Sequence, residues 1–388
     1  GSAATTTVTV DGYATASKID GTLTALATLN LSNTAATTTM TVADTADTLA
    51  LTVEKLGTTA GDAVLDFTAA PKTLNVKSVG NNYIDLDSTT TETLNVSGTG
   101  VLKLDERGSN ELAGIKTITV TETAGLTMGA LNTNSITSVN TSSTTGTVTT
   151  TIDGSKATYT GGAGVDNLTL VTGTALTKAI DLGAGDDTLV FDAVVASSTA
   201  TLSGGAGTDT LSMTVANAAN LDGNETFKNS ISGFERLTLN NAYGTNDADV
   251  DTETINLANL GFASYVKTAG TNLAGGATDI LKLTNLAANA TVVLTAQGYI
   301  EAVLATATGN TDVINVIVDA TNTTTNAGTF TVADVETVKI TAKGEFLDDG
   351  VTPGKTANDG IDDTAADIAS LTLKADKVKT ITIDGYAD

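Results

Sequence analysis

The sequence predicts an all-β fold, a parallel β-solenoid or β-roll of stacked coils of about 20–24 residues. Three observations carry that expectation. Short strands with alternating apolar residues recur at a near-constant step, one nine-residue phrase is written three times in register, and the composition suits a thin core. Taking one apolar anchor per unit gives Leu29, Leu51, Leu74, Leu94, Ile118, Val139, Tyr159, Ile180 and Leu202, separated by 22, 23, 20, 24, 21, 20, 21 and 22 residues. Strands and turns repeating at that period imply coils rather than a sandwich of hairpins.

The composition narrows the class. Of 388 residues only two are proline and 4% are aromatic, whereas Thr, Ala, Gly and Asn abound. Thr and Val favour strands. A chain this polar could stay disordered, but 40% hydrophobic residues in regular alternation argue against it. The net charge of −25 opposes nucleic acid and anionic membrane surfaces and favours cations as partners. Cysteine and histidine are both absent, which excludes disulfides, thiol catalysis and the commonest zinc ligands. No apolar run reaches membrane-spanning length. Gly1-Ser2 reads as a cloning scar, so a secretion signal is expected outside this sequence.

In chain order, three regions are expected. Residues 1–156 form a strand-repeat, solenoid-like region, in which Thr28–Leu31, Thr73–Val76 and Thr93–Val96 share a Thr-Leu-Asn-apolar heading. Residues 157–215 hold the repeated phrase. Residues 216–388 are a less regular β region with an acidic loop at 345–367, followed by a short helix near Ala365–Ser370 and closing strands near Leu371–Leu373 and Ile381–Ile383. The outer regions either continue one solenoid or form flanking β domains.

The phrase is G-G-x-G-x-D-x-apolar-x. It is written as Gly161-Gly162-Ala163-Gly164-Val165-Asp166, as Leu182-Gly183-Ala184-Gly185-Asp186-Asp187, and as Gly204-Gly205-Ala206-Gly207-Thr208-Asp209. The glycines allow a tight turn that aims carbonyls inward, and the aspartate adds a hard anionic oxygen. An all-oxygen donor set on such a loop suits Ca²⁺ rather than a transition metal. The expected ligands are therefore the side chains of Asp166, Asp187 and Asp209 together with turn carbonyls. Stacking sets the three aspartates one strand spacing apart, roughly 4.8 Å. Neighbours then repel by roughly 3–4 kcal/mol at an effective dielectric of about 20. A divalent ion between coils reverses that sign, so calcium binding is expected to be part of folding. The second phrase departs from the pattern, with Leu182 in place of its first glycine.

Other constellations give weaker signals. Gly275–Leu281 and Gly309–Ile314 are faded copies of the phrase and read as turns. Asp247, Asp249, Asp251 and Glu253 alternate at period two, and the choice between a cation-wrapping loop and a solvated acidic edge falls to the edge. Gly350–Thr356 mimics a phosphate loop but is one residue short between its glycines, lacks a buried strand ahead of it and sits among acids. The aspartates of the phrase invite a polysaccharide-cleaving reading. With no Trp, few Arg, no G-x-S-x-G elbow and no H-E-x-x-H pair, an enzyme is not expected.

The three phrases resemble the RTX repeats of proteins exported by type I secretion. The chain as a whole is similar to RTX-type bacterial surface-layer proteins, which are likewise acidic, Cys-free and rich in small polar residues. In those proteins the phrase is followed by a Gly-Phe-Glu-x-Leu strand, here Gly233–Leu237. The resemblance implies a secreted, extracellular protein of the cell surface that folds on calcium and joins copies of itself in a two-dimensional lattice or homo-oligomer. It also implies a cell-surface polysaccharide as anchor, through a region not present here. An adhesin or stalk of a secreted RTX protein shares the fold and the ions without the lattice.

Overall fold

The computed structural model describes all residues except 1–3, 14–15, 21–22, 35–37, 44, 70, 106–111, 130–134, 172–174, 192–196, 245–249, 273–277, 321–324, 345–367 and 386–388. Of the described residues 56% are in strands and 6% in helices, and their parallel sheets form β-solenoid coils, about 12 turns. The chain divides into two compact units, one of 1–210 with 230–234 and one of 211–229 with 235–388.

In the first unit each coil contributes a strand to each of two parallel sheets. One sheet is 11-stranded and runs from Thr7–Asp11 through Thr73–Val79 and Thr158–Thr160 to Ile231–Ser232. The other begins at Ser17–Ile19 and includes Asn82–Ser88, Val148–Ile152, Asp166–Leu170 and Thr188–Phe191. Alternation decides which side chains face inward: in Thr73–Val79 the burial pattern puts Leu74, Val76 and Ser78 inside. The polar residues between them pair from coil to coil on the outer face. Asn95 Nδ2 donates to Asn75 Oδ1 at 2.8 Å and Asn30 Nδ2 to Thr9 Oγ1 at 3.1 Å. The shared Thr-Leu-Asn heading is therefore a ladder position, supplying a buried leucine and a half-buried amide one spacing from its neighbour.

The anchors form a real column with one slip. Leu74, Leu94, Ile118, Val139, Tyr159, Ile180 and Leu202 stand opposite one another in successive strands. Leu29 faces Leu51, but Leu74 faces Leu49. Leu49 and Leu51 point to the same face, so the sequence pattern could not tell which of them keeps register. Column residues are sealed by coils on both sides: Leu94 is 0% exposed. Truncating it to alanine is expected to cost about 2–5 kcal/mol, read as a lowered midpoint in chemical denaturation. An unchanged midpoint would mean that the column is not core.

The second unit repeats the scheme. Arg236–Leu239, Tyr265–Thr268, Thr291–Leu294, Val313–Ala320, Thr337–Gly344 and Thr380–Gly385 make one run of parallel strands. Thr252–Asn256, Ile280–Leu286, Gly298–Leu304, Thr325–Val332 and Ile368–Ala375 make the other. Both units are thus solenoidal rather than flanked by β domains of another kind. Residues 368–370 lie in a strand where the sequence suggests a helix, because pairing with Thr325–Val332 outweighs the helix propensity of Ala369. The rest of that segment, with the acidic loop and the phosphate-loop mimic, lies outside the described residues.

Short helices unforeseen from periodicity stand at Val215–Leu221, Glu225–Ser230 and Leu257–Leu260. Their caps are legible in hindsight. Thr214 Oγ1 accepts the Asn217 N–H at 3.1 Å, while Asn256 caps the last helix and left-handed Gly261 closes it. No described helix is long and apolar enough to cross a membrane, which says nothing of spans made by strands.

Candidate metal centre

The three phrases are the corners that carry the chain of the first unit from one sheet to the other. Each aspartate sits at or just before the head of the second strand: Asp166 begins Asp166–Leu170, Asp187 precedes Thr188–Phe191 and Asp209 precedes Thr210–Met213. Consecutive corners lie against one another. Ala184 N–H donates to the Gly162 carbonyl at 2.7 Å, Ala206 N–H to that of Gly183 at 2.9 Å, and Gly185 N–H to that of Ala206 at 2.9 Å.

The turns are of two kinds. In the second and third phrases Gly183 and Gly205 have φ of 94° and 107°, and Gly185 and Gly207 have 142° and 149°. Gly162 and Gly164 of the first phrase lie outside that left-handed range. Leu182 is compatible with the second turn because its side chain is buried in the core. Its carbonyl still crowds the neighbouring corner, within 1.7 Å of where a Cβ on Gly161 would sit. The need for glycine is sharpest at Gly207, where a Cβ would lie 1.8 Å from the Gly185 carbonyl oxygen. Gly207→Ala is expected to lose at least roughly 2 kcal/mol of stability, from backbone strain plus collision. Circular dichroism melting checks this, and an unaltered melt would mean that the corners are not this close.

All three aspartates are buried, Asp166 and Asp187 at 1% exposure and Asp209 at 0%. They form a directed ladder: Asp166 N–H donates to Asp187 Oδ1 at 2.7 Å, and Asp187 N–H to Asp209 Oδ1 at 2.8 Å. Asp187 Oδ2 and both oxygens of Asp166 are buried without a hydrogen bond of good geometry among the described residues. The Tyr159 hydroxyl, the Gly162 N–H and the Thr141 hydroxyl still lie close enough to Asp166 to temper its charge. Burial, and then the charge of Asp187, push the Asp166 carboxyl up to about 7. Burial also dominates at Asp187; the Asp166 N–H opposes it, the charges of Asp209 and Asp186 reinforce it, and the group stands at about 6. Tyr159 is raised well above its ordinary value, first by burial and then by Asp166.

The same column contains its own comparison. Pairing leads from Asp166 back through Val148, Leu126 and Leu102 to Asn82. Asn82 is 0% exposed, and its Oδ1 accepts the Leu56 N–H at 2.9 Å, as Asp187 Oδ1 accepts that of Asp166. Its Nδ2 then donates to Ser78 Oγ at 2.9 Å and to the Gly80 carbonyl at 3.0 Å. An amide at this corner brings its own donor to the turn oxygens. A carboxylate at the same place confronts oxygens with an oxygen, a contact that a cation or a proton between them relieves.

The residues present fit calcium on three grounds: the donor set is wholly oxygen, Asp187 Oδ2 and the Asp166 oxygens are buried without a hydrogen bond of good geometry among the described residues, and the Leu182 carbonyl and Asp166 Oδ2 converge on one point beside Gly161. Among the described residues no group of three or more His, Cys, Asp or Glu is placed to hold a metal. An ion here would draw on Asp166, Asp187 or Asp209 with main-chain carbonyls and water completing its shell. The sequence reading missed Asp186, whose Oδ1 accepts the Thr208 N–H at 2.8 Å and clips one corner to the next. It also missed Tyr159 and Thr141 as the floor beneath Asp166, and Asn82 as the neutral counterpart.

The faded phrases diverge. Asp312 N–H donates to Glu336 Oε2 at 3.1 Å, and Asp312 Oδ2 has no hydrogen-bond partner among the described residues. Lys379 occupies the next register position after Glu336 and donates to Asn310 Oδ1 at 3.3 Å. Here the next coil places a lysine at the register position of the acids. Gly275–Ala277, and the run from Asp247 through Asp249, lie outside the described residues. No family model matches this chain, and no curated protein matches it significantly.

Proposed function

We propose that the protein is a calcium-binding structural component of a bacterial surface layer, secreted, and folding and assembling into a lattice when calcium binds. One observation carries the calcium part: three buried carboxylates stand in successive coils with Asp187 Oδ2 and both oxygens of Asp166 left without adequate donors. The Asn82 corner supports it, since the same place in the fold is satisfied when the side chain brings donors. The role proposed for calcium is structural: it neutralises the stacked carboxylates and holds the corners together. Self-association, export and the cell-surface location rest on the resemblance of the phrases and composition to surface-layer proteins.

Calcium titration by calorimetry, paired with circular dichroism of calcium-free and calcium-loaded protein, tests the first part. Uptake with a gain of structure is expected. No uptake and identical spectra would remove it. Electron microscopy of the loaded protein tests the second part, with ordered sheets expected and dispersed rods pointing instead to an adhesin or stalk.

A further inference from the structure

A second acid-on-acid contact lies in the other compact unit. Thr252 pairs with Ile280, which brings the preceding residues Asp251 and Asp279 together at the heads of adjacent strands. Asp251 N–H donates to Asp279 Oδ1 at 3.0 Å. Asp279 is 0% exposed, and its Oδ2 has no hydrogen-bond partner among the described residues. That oxygen is aimed at the turn after Tyr243. Gly244 there has φ +106°, and a Cβ on it would fall 1.9 Å from Asp279 Oδ2. The turn is pinned by Tyr243 N–H donating to the Gly270 carbonyl at 3.1 Å and Asn272 N–H to the Tyr243 carbonyl at 2.6 Å.

Charge converges on this turn without compensation. The Tyr243 phenol is raised by burial and then by the charges of Asp251, Glu253 and Asp279. Among the described residues no lysine or arginine forms an ion pair with any of the three. The Asp312–Glu336 contact differs here, because its column continues to Lys379. The Asp279 column continues to Gly298 and Gly328, which offer no side chain. A buried carboxylate oxygen with neither donor nor built-in cation is unfavourable unless an external cation or a proton meets it.

We propose that Asp279, with Asp251 against it at the Tyr243–Gly244 turn, forms a separate site for a hard divalent cation of the Ca²⁺ class. Asp279 Oδ2 is its inner ligand, water completes the shell, and the exposed Asp251 attracts the ion. The site belongs to a sheet other than the one headed by the three phrases, and it stands or falls independently of them.

The chain has seven tyrosines and no tryptophan, so a lanthanide near Tyr243 can be read without interference from indole. The full chain is titrated with Ca²⁺ by calorimetry and with Tb³⁺ by tyrosine-sensitised luminescence. Asp279→Asn should bind a single ion fewer than the parent and lose the part of the Tb³⁺ emission that Tyr243→Phe also loses. Asp187→Asn should leave that part intact. Unchanged calcium stoichiometry in Asp279→Asn would overturn the proposal and identify a protonated, structural carboxyl. If Asp279→Asn fails to fold, Tyr243→Phe decides: loss of a Tb³⁺ emission component displaceable by Ca²⁺ supports the site, and undiminished emission removes it.

Discussion

Asp187→Asn is expected to make the calcium-free protein more stable than the parent at pH 7.5 and to weaken its response to calcium. The reasoning starts from a single atom. Asp187 Oδ1 already accepts the Asp166 N–H, and an asparagine oxygen can accept it too, as the buried Asn82 Oδ1 accepts the main-chain N–H of Leu56. Oδ2 is buried without a partner, and replacing it by an amide nitrogen supplies donors toward oxygen-rich corners. Relieving one unsatisfied buried group contributes roughly 1–3 kcal/mol, and removing one charge from the ladder adds in the same direction. With calcium the comparison reverses. At a free ion concentration 100 times the dissociation constant each site stabilises the parent by about 2.7 kcal/mol, and the variant forfeits the ions that depend on Asp187. Denaturation midpoints of both proteins, with and without calcium, should therefore cross. Parallel shifts on adding calcium would mean that Asp187 is not a ligand.

The coil period and inward-facing residues were readable because each coil must repeat the same burial, and a two-residue alternation exposes it. From Leu74 to Leu202 one anchor per coil follows the observed pairing. The slip at Leu49 and Leu51 shows the limit of that signal, since two residues on one face are equivalent to a pattern and differ only in which partner they meet. The aspartates were found from the phrase, but their directed ladder was not, because it depends on how closely the next corner approaches. Asn82 was invisible for a related reason. It belongs to the Asp166 column only through pairing, and the residues between, Leu102, Leu126 and Val148, are apolar. Asp279 seemed to close a faded turn, and only its complete burial against Gly244 distinguishes it from a solvated acid.

Acidification is expected to stabilise the calcium-free protein and to undo the benefit of calcium. Asp166 and Asp187 are raised from 3.8 to about 7 and about 6, in both cases chiefly by burial. Unfolded, both would titrate near 3.8, so between about pH 4 and pH 7 the folded state binds more protons than the unfolded one. Stability then falls as pH rises through that window, which is the reverse of the common carboxylate whose folded value is depressed. Dialysed, calcium-free protein should melt higher at pH 5 than at pH 7.5, by an amount on the order of a few kcal/mol in total. Calcium competes with those same protons, so its affinity should rise from pH 5 to pH 7.5. A melting temperature for calcium-free protein that rises with pH across this window would show that the ladder carboxylates are not held protonated. The experiment bears on folding before and after calcium is met. A ladder that can take either protons or calcium resists stacking where both are scarce, and the carboxylates responsible are those that succeed one another at intervals of one coil.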